Sequence, residues 1–430
     1  MLQDIELSHI IKAETERQLT NLSLIASENV VSRSVRSALS APFVDKTVEG
    51  YPGRRYHAGC EVADRLENVT RTRACILFGA EYANVQPHSC TQANQAALLA
   101  LVPPGGKILS MALRDGGHLS HGFGQSLTGR MFEVCNYGVS NDSHLIDYEQ
   151  IEKLAHIHRP RVIIAGSSAY SRTIDFQHFR SIADSVDAYL LVDIAHVAGL
   201  VAGGVYPSPI SYADIVTTSM YKTLRGARGG LILSRDRALG QRVDGAIFPG
   251  MQGTPSLNGV AAKAICLYEA SRPEFQSYAS QVVSNARYFS SLMISSGIPV
   301  ISGGTDSHLV LLDLRPLGLT GRVAAEALEQ CAVLSNMNLL PFDEAPPTIC
   351  SGIRFGFAAA TTIGLDENDI REIAGIVVTI FNRLSRGLDI PRDFCNSVRK
   401  KVSDLIAEAR TRTSGPFADE KLDLTRDFLS

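Results

Sequence analysis

The sequence predicts an α/β fold in which a mainly parallel β-sheet carries helices on both faces. Short β-branched runs alternate with helical stretches from about residue 61 to residue 235, and this alternation is typical of parallel sheets. At 430 residues the chain exceeds the size that one hydrophobic core usually serves. We therefore expect a second, smaller α+β domain after the first.

Three parts are expected along the chain: an N-terminal arm over residues 1–30, a large domain over 31–275 and a small C-terminal domain over 276–430. The arm carries apolar side chains at helical spacing between residues 5 and 18, which predicts an amphipathic helix. The tail beyond Arg410 is polar, and we expect a loosely held surface segment there.

The large domain is expected to contain seven strands, each marked by a short β-branched run. These runs cover residues 82–88, 107–113, 131–137, 161–168, 188–196, 214–220 and 229–234. Helices are predicted at residues 32–41, 93–101, 148–156 and 179–185. One long helical region, 259–297, leads into the small domain, where strands are expected near Val300 and over 308–313, followed by helices and the segment 351–359.

The composition argues against several classes of function. The formal net charge of −3, from 41 basic and 44 acidic residues, gives no reason to expect nucleic acid or a membrane surface as a partner. No apolar run approaches the roughly 20 residues that span a bilayer, and the charged N-terminal residues lack the apolar core of a signal peptide. The eight cysteines are scattered without a CxxC pair, so we expect no disulfide or zinc site and a cytoplasmic location.

Lys222 is the first candidate for chemistry. It follows the apolar run 213–219 and precedes a glycine-rich stretch, so it lies between two predicted strands. Removing an ammonium from water lowers its pKa and leaves an amine that can form a Schiff base with a carbonyl cofactor. On this stretch alone, an ordinary surface lysine at a strand end is the alternative.

Two further motifs lie at strand ends, where ligands of parallel sheets bind. Asp193 ends a predicted strand and His196 follows it, so the carboxylate could hold a protonated heteroaromatic nitrogen. The alternative is a helix-capping aspartate with a packed histidine. Residues 88–94 place hydroxyls and backbone amides at a strand-to-helix junction, which suits a phosphate group. Plain capping by Ser89 or Thr91 is the alternative there.

His118 and Arg354 complete the set of candidates. His118 follows two glycines, so its ring could lie flat against a planar ligand or simply occupy a turn. Arg354 lies between small residues and could hold a carboxylate with two hydrogen bonds, or form a structural salt bridge. In combination with the lysine, the aspartate and the hydroxyl-rich turn, these are the parts needed to bind pyridoxal phosphate and the carboxylate of an amino acid.

The chain resembles the serine hydroxymethyltransferase family over nearly its whole length. The resemblance rests on the ordered stretches LIASEN, EGYPGRRY, GCE, FGAEYANVQPHS, GGHLSHG, LIDYEQIEKLA, AGSSAYSRTIDF, LLVDIAHVAGLVAGG, YADIVTT, KTLRGARGG and SGIRFG. It implies a fold-type I pyridoxal-phosphate transferase, similar to aspartate aminotransferase, with tetrahydrofolate as co-substrate. It also implies a homodimer, or a dimer of dimers, whose active sites are shared between subunits.

The resemblance implies a role for each cofactor-binding position. Lys222 would hold the cofactor covalently, Asp193 would pair with the pyridinium nitrogen, and His118 would stack on the ring. His196 and Ser168 would contact the phenolate side. Hydroxyls of the 88–94 turn and the partner subunit's Gly253 would bind the phosphate. The full expected cofactor set is Ser89, Cys90, Thr91, His118, Ser168, Asp193, His196, Lys222, Gly253 and Thr254.

Residues 48–61 combine glycine, aromatic and charged side chains without periodicity, which is typical of a surface connection or of a binding loop. The resemblance implies a binding loop, with Glu49 as the acid or base for the hydroxymethyl group. Lys222, Glu49, Asp193 and His118 would then be the catalytic residues. Substrate-binding positions would be Ser27, Thr47, His57 and Arg354, the last on the carboxylate. The folate pocket would contain Glu49, Tyr56, Leu113, Gly117 and Leu119. No metal is expected.

The departures from the family pattern cluster in this site. Thr47 stands where the family has a tyrosine that crowds the substrate Cα from across the subunit interface. The other departures are His57 for tyrosine, Met220 for threonine, Tyr221 for histidine, and Cys90 and Thr254 for glycine.

The loss of a phenol ring at Thr47 leaves room for an alkyl group on Cα, since packed proteins rarely leave such space empty. The chain therefore resembles the α-methylserine (2-methylserine) hydroxymethyltransferase branch, which would use D-alanine. Alternatives are ordinary glycine/L-serine transfer, a folate-independent α-methylserine aldolase, for which His57 is the argument, and a non-catalytic protein on the same fold.

Overall fold

The computed structural model describes residues 4–412. Its α-helices are α1 (Ile5–Thr20), α2 (Arg33–Leu39), α3 (Glu61–Phe78), α4 (Cys90–Leu101), α5 (Leu127–Met131), α6 (Tyr148–His158), α7 (Phe176–Ser185), α8 (Ala198–Ala202), α9 (Arg237–Ile247), α10 (Leu257–Ala270), α11 (Pro273–Ser295), α12 (Gly321–Gln330), α13 (Ala358–Thr362), α14 (Glu367–Ser385) and α15 (Arg392–Arg412). Most of the predicted tail beyond Arg410 lies outside the described residues.

The strands are β1 (Leu22–Ser23), β2 (Gly50–Tyr51), β3 (Arg54–Arg55), β4 (Tyr82–Asn84), β5 (Lys107–Met111), β6 (Glu133–Tyr137), β7 (Val162–Gly166), β8 (Tyr189–Asp193), β9 (Ile215–Ser219), β10 (Gly230–Ser234), β11 (Leu309–Asp313), β12 (Val333–Leu334), β13 (Asn336–Asn338) and β14 (Gly352–Gly356). The described residues form two compact units. The sheet unit comprises Val31–Ser280 and Leu340–Asp343, and the terminal unit comprises the described parts of Met1–Val30, Gln281–Leu339 and Glu344–Ser430. The predicted boundaries of arm, large and small domain stay a prediction.

A seven-stranded sheet organises the sheet unit, in the order β4-β10-β9-β8-β7-β5-β6. Strands β5 to β9 are mutually parallel where they pair, and β10 runs antiparallel to both of its neighbours. All seven strands predicted for the large domain are present, each within its predicted range. The prediction of an α/β fold with a mainly parallel sheet is therefore confirmed.

The strands form where the sequence is apolar on both faces. Every residue of β7 and of β9 is buried, as expected of a parallel strand covered on both sides. One apolar cluster includes Ile164 of β7, Ile215 of β9 and Leu98 of α4. Each such side chain stabilises the fold by about 1.5–3 kcal/mol through removal of apolar surface from water. This packing fixes the strand ends that carry the candidate residues.

The structure refines two predictions about local structure. The helical region predicted over 259–297 is two helices, α10 and α11, because Pro273 has no N–H to donate and therefore begins a new helix. The segment 48–61, read as irregular, contains the β2–β3 hairpin, in which Gly50 pairs with Arg55. Strands of two residues are too short to produce a visible alternation of apolar and polar positions.

The terminal unit is α+β. Strands β11, β14 and β13 form an antiparallel sheet, and β1 pairs with β12 in parallel. Its core contains Phe289, whose ring centroid lies 5.1 Å from that of Phe355 and 5.0 Å from that of Phe357. The strand predicted near Val300 is only a single bridge to Leu312, since the chain turns into a 3₁₀ segment directly afterwards. No helix within residues 4–412 is both long and apolar enough to cross a membrane.

Candidate active site

A cleft at the carboxyl end of the sheet gathers most of the predicted cofactor residues. It is bordered by the ends of β7 and β8, the loop after β9 and the N-terminus of α4. Its walls consist of Ser89, Cys90, Thr91, His118, Ser167, Ser168, Asp193, Ala195, His196, Tyr221 and Lys222. The sequence therefore identified side chains that converge although they come from five separate stretches of the chain.

Asp193 is the last residue of β8 and is 8% exposed. Its Oδ1 accepts a hydrogen bond from the backbone N–H of Ala195 at 2.8 Å. Its Oδ2 accepts from Asn94 Nδ2 at 2.8 Å and lies 2.9 Å from His121 Nε2. The Cys90 sulfur lies 3.6 and 3.7 Å from the two carboxylate oxygens. Helix α8 begins at Ala198 with Val197 as its cap, so Asp193 is not a helix cap.

The surroundings keep this buried carboxylate ionised. Burial by itself raises the pKa of Asp193, but the hydrogen bond and charge of His121, together with His118 and Lys222, hold that pKa well below its usual range. An ionised carboxylate at the end of a buried strand is suited to hold a protonated ring nitrogen. The alternative of a purely capping aspartate is thereby excluded.

Lys222 follows β9 and is 6% exposed, so it is not a surface lysine. The loop that carries it is closed by two hydrogen bonds, from Gly226 N to Met220 O at 2.7 Å and from Arg225 N to Lys222 O at 3.0 Å. A side chain at Gly226 could not fit, because its Cβ would lie 2.6 Å from Cys266 Sγ. The Tyr221 ring lies 5.8 Å from Lys222 Nζ. The lysine is therefore held in a tight, buried loop at the cleft.

The glycine-rich turn that carries His118 is tied to the end of β7. The Ser168 hydroxyl donates to Gly117 O at 3.0 Å, and the Ser168 backbone N–H donates to Gly116 O at 2.7 Å. At Gly117 a Cβ would lie 2.2 Å from Met111 O, so no larger residue fits this turn. His118 Nδ1 is hydrogen bonded to Ser120 Oγ at 2.7 Å. His118 thus occupies a turn and also lines the cleft; its stacking against a planar ligand stays a prediction.

The N-terminus of α4 forms the other end of the cleft. Ser89 caps this helix, with its hydroxyl oxygen accepting from Gln92 N at 3.1 Å. The plain capping role considered for Ser89 is therefore present. The Thr91 side chain also borders the cleft. Unpaired N–H groups and the positive end of the helix dipole make such a terminus suitable for an anion.

These side chains fit pyridoxal phosphate. A buried lysine can react with its aldehyde, the ionised Asp193 can hold its ring nitrogen, and the start of α4 can bind its phosphate. Ser168 and His196, which is 6% exposed, also line the cleft. Among the described residues, no cluster of three or more histidine, cysteine or acidic side chains is placed to hold a metal ion.

Two residues of this site were missed by sequence reasoning. His121 is 2% exposed and Asn94 is fully buried, and both contact the Asp193 carboxylate. The signal for Asn94 is its position one helical turn after Cys90, which places both side chains on one face of α4. The signal for His121 is its spacing of three residues from His118 in the same motif. Neither spacing identifies the distant carboxylate that both contact.

The predicted folate and hydroxymethyl residues do not line this cleft in the described chain. Glu49 lies beside Gly253, where an added Cβ would be 3.0 Å from Glu49 Oε1. Tyr56 is 76% exposed and its ring lies 5.6 Å from that of Phe248. Also outside the cleft walls are the other predicted folate residues, the predicted substrate residues of segment 46–57 and two predicted cofactor residues. They are Leu113, Gly117 and Leu119, then Thr47 and His57, and then Gly253 and Thr254.

Ser27 and Arg354 belong to the terminal unit. Arg354 is in β14, is 8% exposed and donates from Nε to Asn336 Oδ1 at 3.2 Å. Burial lowers the pKa of Arg354 to about 10, which leaves it ionised at neutral pH. The segment before Ser27 runs along β14, since Gly356 N donates to Leu24 O at 2.7 Å. Both candidate substrate residues are thus carried by neighbouring stretches of one unit.

Comparisons with known proteins identify the relatives of this chain. The family model described as serine hydroxymethyltransferase matches residues 1–377. A serine hydroxymethyltransferase from Rhodospirillum centenum is 50% identical over 383 residues, which cover 89% of each chain. One from Sphingopyxis alaskensis is 51% identical over 371 residues, covering 86% of this chain and 85% of the relative. One from Ehrlichia chaffeensis is 46% identical over 407 residues, covering 94% and 97%.

Proposed function

This chain belongs to the serine hydroxymethyltransferase family, and we propose that it transfers a hydroxymethyl group between tetrahydrofolate and D-alanine, with 2-methylserine as the second amino acid. The family consists of fold-type I pyridoxal-phosphate enzymes that move one-carbon units with tetrahydrofolate as co-substrate. The chain is therefore an enzyme of this class. The choice of D-alanine is the part that is proposed.

Thr47 carries this proposal. It stands where the family pattern has tyrosine, two residues before Glu49, and its side chain is exposed in the described chain. Its backbone is held in place, because Lys46 Nζ donates to Thr47 O at 3.0 Å and to Ala58 O at 2.9 Å. Threonine in place of tyrosine therefore leaves less bulk at this position, and the anchored backbone keeps the segment from filling the space. An additional methyl group on the substrate Cα fits the space that is gained.

The proposed chemistry assigns separate tasks to the residues of the cleft. When bound, pyridoxal phosphate supplies an electron-withdrawing ring that stabilises negative charge at the substrate Cα. The Lys222 amine would hold the cofactor through its aldehyde, and the amino group of the substrate would take the place of the lysine. Asp193 keeps the ring nitrogen protonated, a task supported by its low pKa. His118 packs against the ring, and Glu49 moves the proton at the hydroxymethyl oxygen.

The remaining proposed contacts divide by chemical group. Ser89, Thr91 and the first turn of α4 bind the phosphate, with the partner subunit's Gly253. Arg354 binds the substrate carboxylate through its charged guanidinium, and Ser27 assists it. Contacts with the ring and its substituents come from Cys90, Ser168, His196 and Thr254. His57 faces the amino acid, and folate is bound by Glu49, Tyr56, Leu113, Gly117 and Leu119. The exposure of Tyr56 and Leu119 supports their availability to a second substrate.

We further propose a homodimer, or a dimer of dimers, that works in the cytoplasm. A dimer follows from the assignment of Gly253, which in the described chain lies beside Glu49 and outside the cleft walls. A second chain would then bring its own copy of this residue to the phosphate. The proposals of a dimer and of a cytoplasmic location depend on the family resemblance and not on the charge or burial of any single residue.

Ordinary glycine/L-serine transfer is the second candidate. The observation that favours it is the name of the relatives, since proteins that are 46–51% identical to this chain are called serine hydroxymethyltransferases. Identity at this level leaves about half of the positions different. The departure on which the two candidates divide is Thr47.

The test compares amino acids on the purified enzyme loaded with pyridoxal phosphate. In deuterium oxide, the α-proton of D-alanine should exchange, as followed by NMR, and D-alanine with methylene-tetrahydrofolate should give 2-methylserine. Formation of 2-methylserine from formaldehyde without any folate would indicate the aldolase instead. Activity with glycine while D-alanine stays inert in both assays would refute the proposal. The matched variant Thr47→Tyr should shift the preference towards glycine.

A further inference from the structure

Lys263 is a second buried lysine that the proposed chemistry does not use. It lies in α10 and is 3% exposed. Its Nζ donates to three backbone carbonyl oxygens: Val85 at 2.7 Å, Pro87 at 2.8 Å and Gly230 at 2.9 Å. A neutral amine has only two N–H donors, whereas an ammonium has three. Three acceptors at hydrogen-bond distance are therefore satisfied only by the charged form.

Within residues 4–412, no carboxylate contacts the ammonium group of Lys263. Burial lowers the pKa of Lys263 to about 7, while the negative charge of Glu67 raises it. Glu67 itself is bound to Arg55 at 2.7 Å and to Gln86 at 3.1 Å, so it is already engaged. The other titratable group that interacts with this ammonium is His88, whose pKa is lowered by burial and by the lysine charge. A buried cation without a paired anion is costly, and here three carbonyl acceptors offset part of that cost.

Two of the three carbonyls, those of Val85 and Pro87, belong to the turn that leads into the start of α4, and the third belongs to Gly230 at the start of β10. Val85 and Pro87 follow β4 directly, and Ser89, two residues later, caps α4. Pro87 O also accepts from Gly230 N at 3.0 Å, so the turn is fastened to β10 as well. The next peptide N–H, that of His88, donates to Gln92 Oε1 at 2.6 Å. Lys263 therefore fixes the orientation of the peptides immediately before the proposed phosphate-binding residues.

Two glycines make this arrangement possible. A Cβ at Gly229 would lie 2.4 Å from Lys263 Cε, and one at Gly230 would lie 2.2 Å from Ser89 O. Only glycine at these two positions therefore leaves room for the lysine side chain and the Ser89 backbone beside the start of β10. A shift of the lysine would be transmitted to Ser89 through backbone atoms and not through flexible side chains.

We propose that Lys263 is a positioning residue for the cofactor phosphate: its ammonium holds the 85–89 turn in the shape that presents Ser89 and the first turn of α4, and it places a buried positive charge behind that anion site. This inference rests on the proposed assignment of the phosphate to α4. It does not depend on which amino acid the enzyme uses.

The test separates the phosphate from the rest of the cofactor. Wild type and Lys263→Met are dialysed to equilibrium against pyridoxal phosphate and, separately, against pyridoxal, and the bound fraction is read from absorbance. We expect the variant to bind pyridoxal phosphate at least tenfold more weakly, while pyridoxal binding changes less than about twofold, because the held turn and the buried charge act on the phosphate and not on the ring. Equal weakening for both ligands, or no weakening for either, would overturn the proposal.

Two further variants keep the test decisive. Lys107→Met removes the same charge from the start of β5, where Lys107 is paired with Glu133 at 3.4 Å on the surface, and should leave both binding constants unchanged. If Lys263→Met does not fold, Lys263→Gln provides the same test with two donors and no charge. Wild-type affinity of that variant for pyridoxal phosphate would contradict the proposal. Failure of the D-alanine assay would leave these binding results unaffected, so the two proposals fail separately.

Discussion

The side chains around Asp193, which form the floor of the cleft, are held differently from the exposed side chains of the segment 46–57. On the floor, Asp193, Asn94 and His121 are at most 8% exposed and are joined by hydrogen bonds of 2.8–2.9 Å. In the segment, Thr47 and His57 are exposed and make their contacts through the backbone. The packing of the chain fixes the floor, whereas the side chains of Thr47 and His57 are open to solvent. We therefore expect floor residues to set the rate for all substrates and segment residues to select among substrates.

Asp193→Asn should produce the largest effect. An amide cannot carry the negative charge that holds a protonated ring nitrogen, so turnover should fall on the order of 10²–10³-fold, as when a preorganised electrostatic contact is lost. Because this task is common to all substrates, D-alanine and glycine should be affected alike. Turnover of both amino acids at saturating cofactor, with thermal melting as a folding control, tests this expectation. A change in the ratio between the two turnover rates would show that Asp193 also selects among substrates.

Cys90→Ala tests a departure from the family pattern that lies on the floor. The thiol is 3.6–3.7 Å from Asp193, and burial together with this carboxylate raises its pKa, so it acts as a neutral and weak donor. Because the thiol is only a weak donor to this carboxylate, rates should change by less than about fivefold. The ratio of D-alanine to glycine turnover should stay constant. A shift in that ratio would mean that the floor also selects the substrate.

Asp115→Asn should have the smallest effect, and on stability only. Burial raises the pKa of Asp115 to about 6, so between about pH 4 and 6 the folded protein binds this proton more readily than the unfolded chain. The group therefore makes stability fall as the pH rises through that window, and its full destabilising effect is present above pH 6. The variant should melt at a higher temperature than wild type at pH 8 and show no such gain at pH 4.

Asp142→Asn provides the matched control for this effect. Asp142 lies in an exposed turn, so its replacement removes the same formal charge without affecting a buried group. Its melting temperature should follow that of wild type at both pH values. An equal gain from both variants at pH 8 would show that net charge, and not the burial of Asp115, is responsible.

Sequence patterns predicted the sheet and the gathering of the cleft because both depend on local features. The runs that became β7 and β9 are apolar throughout, and side chains at the ends of parallel strands meet at one edge. His121 and Asn94 escaped prediction because their partner, Asp193, is 72 and 99 residues away in the chain. The triple contact of Lys263 escaped for the same reason, since α10 is 176 residues from Pro87. Pairings of this kind are set by tertiary packing, which no local spacing reveals.

The most direct test of the account is the ratio of kcat/KM for D-alanine to that for glycine, measured in wild type and in Thr47→Tyr. Wild type should prefer D-alanine, and the tyrosine should lower this ratio at least tenfold, since a phenol ring would occupy the space of the α-methyl group. Thr47→Ser should retain the wild-type ratio as the conservative control. A wild type that prefers glycine, with a ratio unchanged by Thr47→Tyr, would contradict the account.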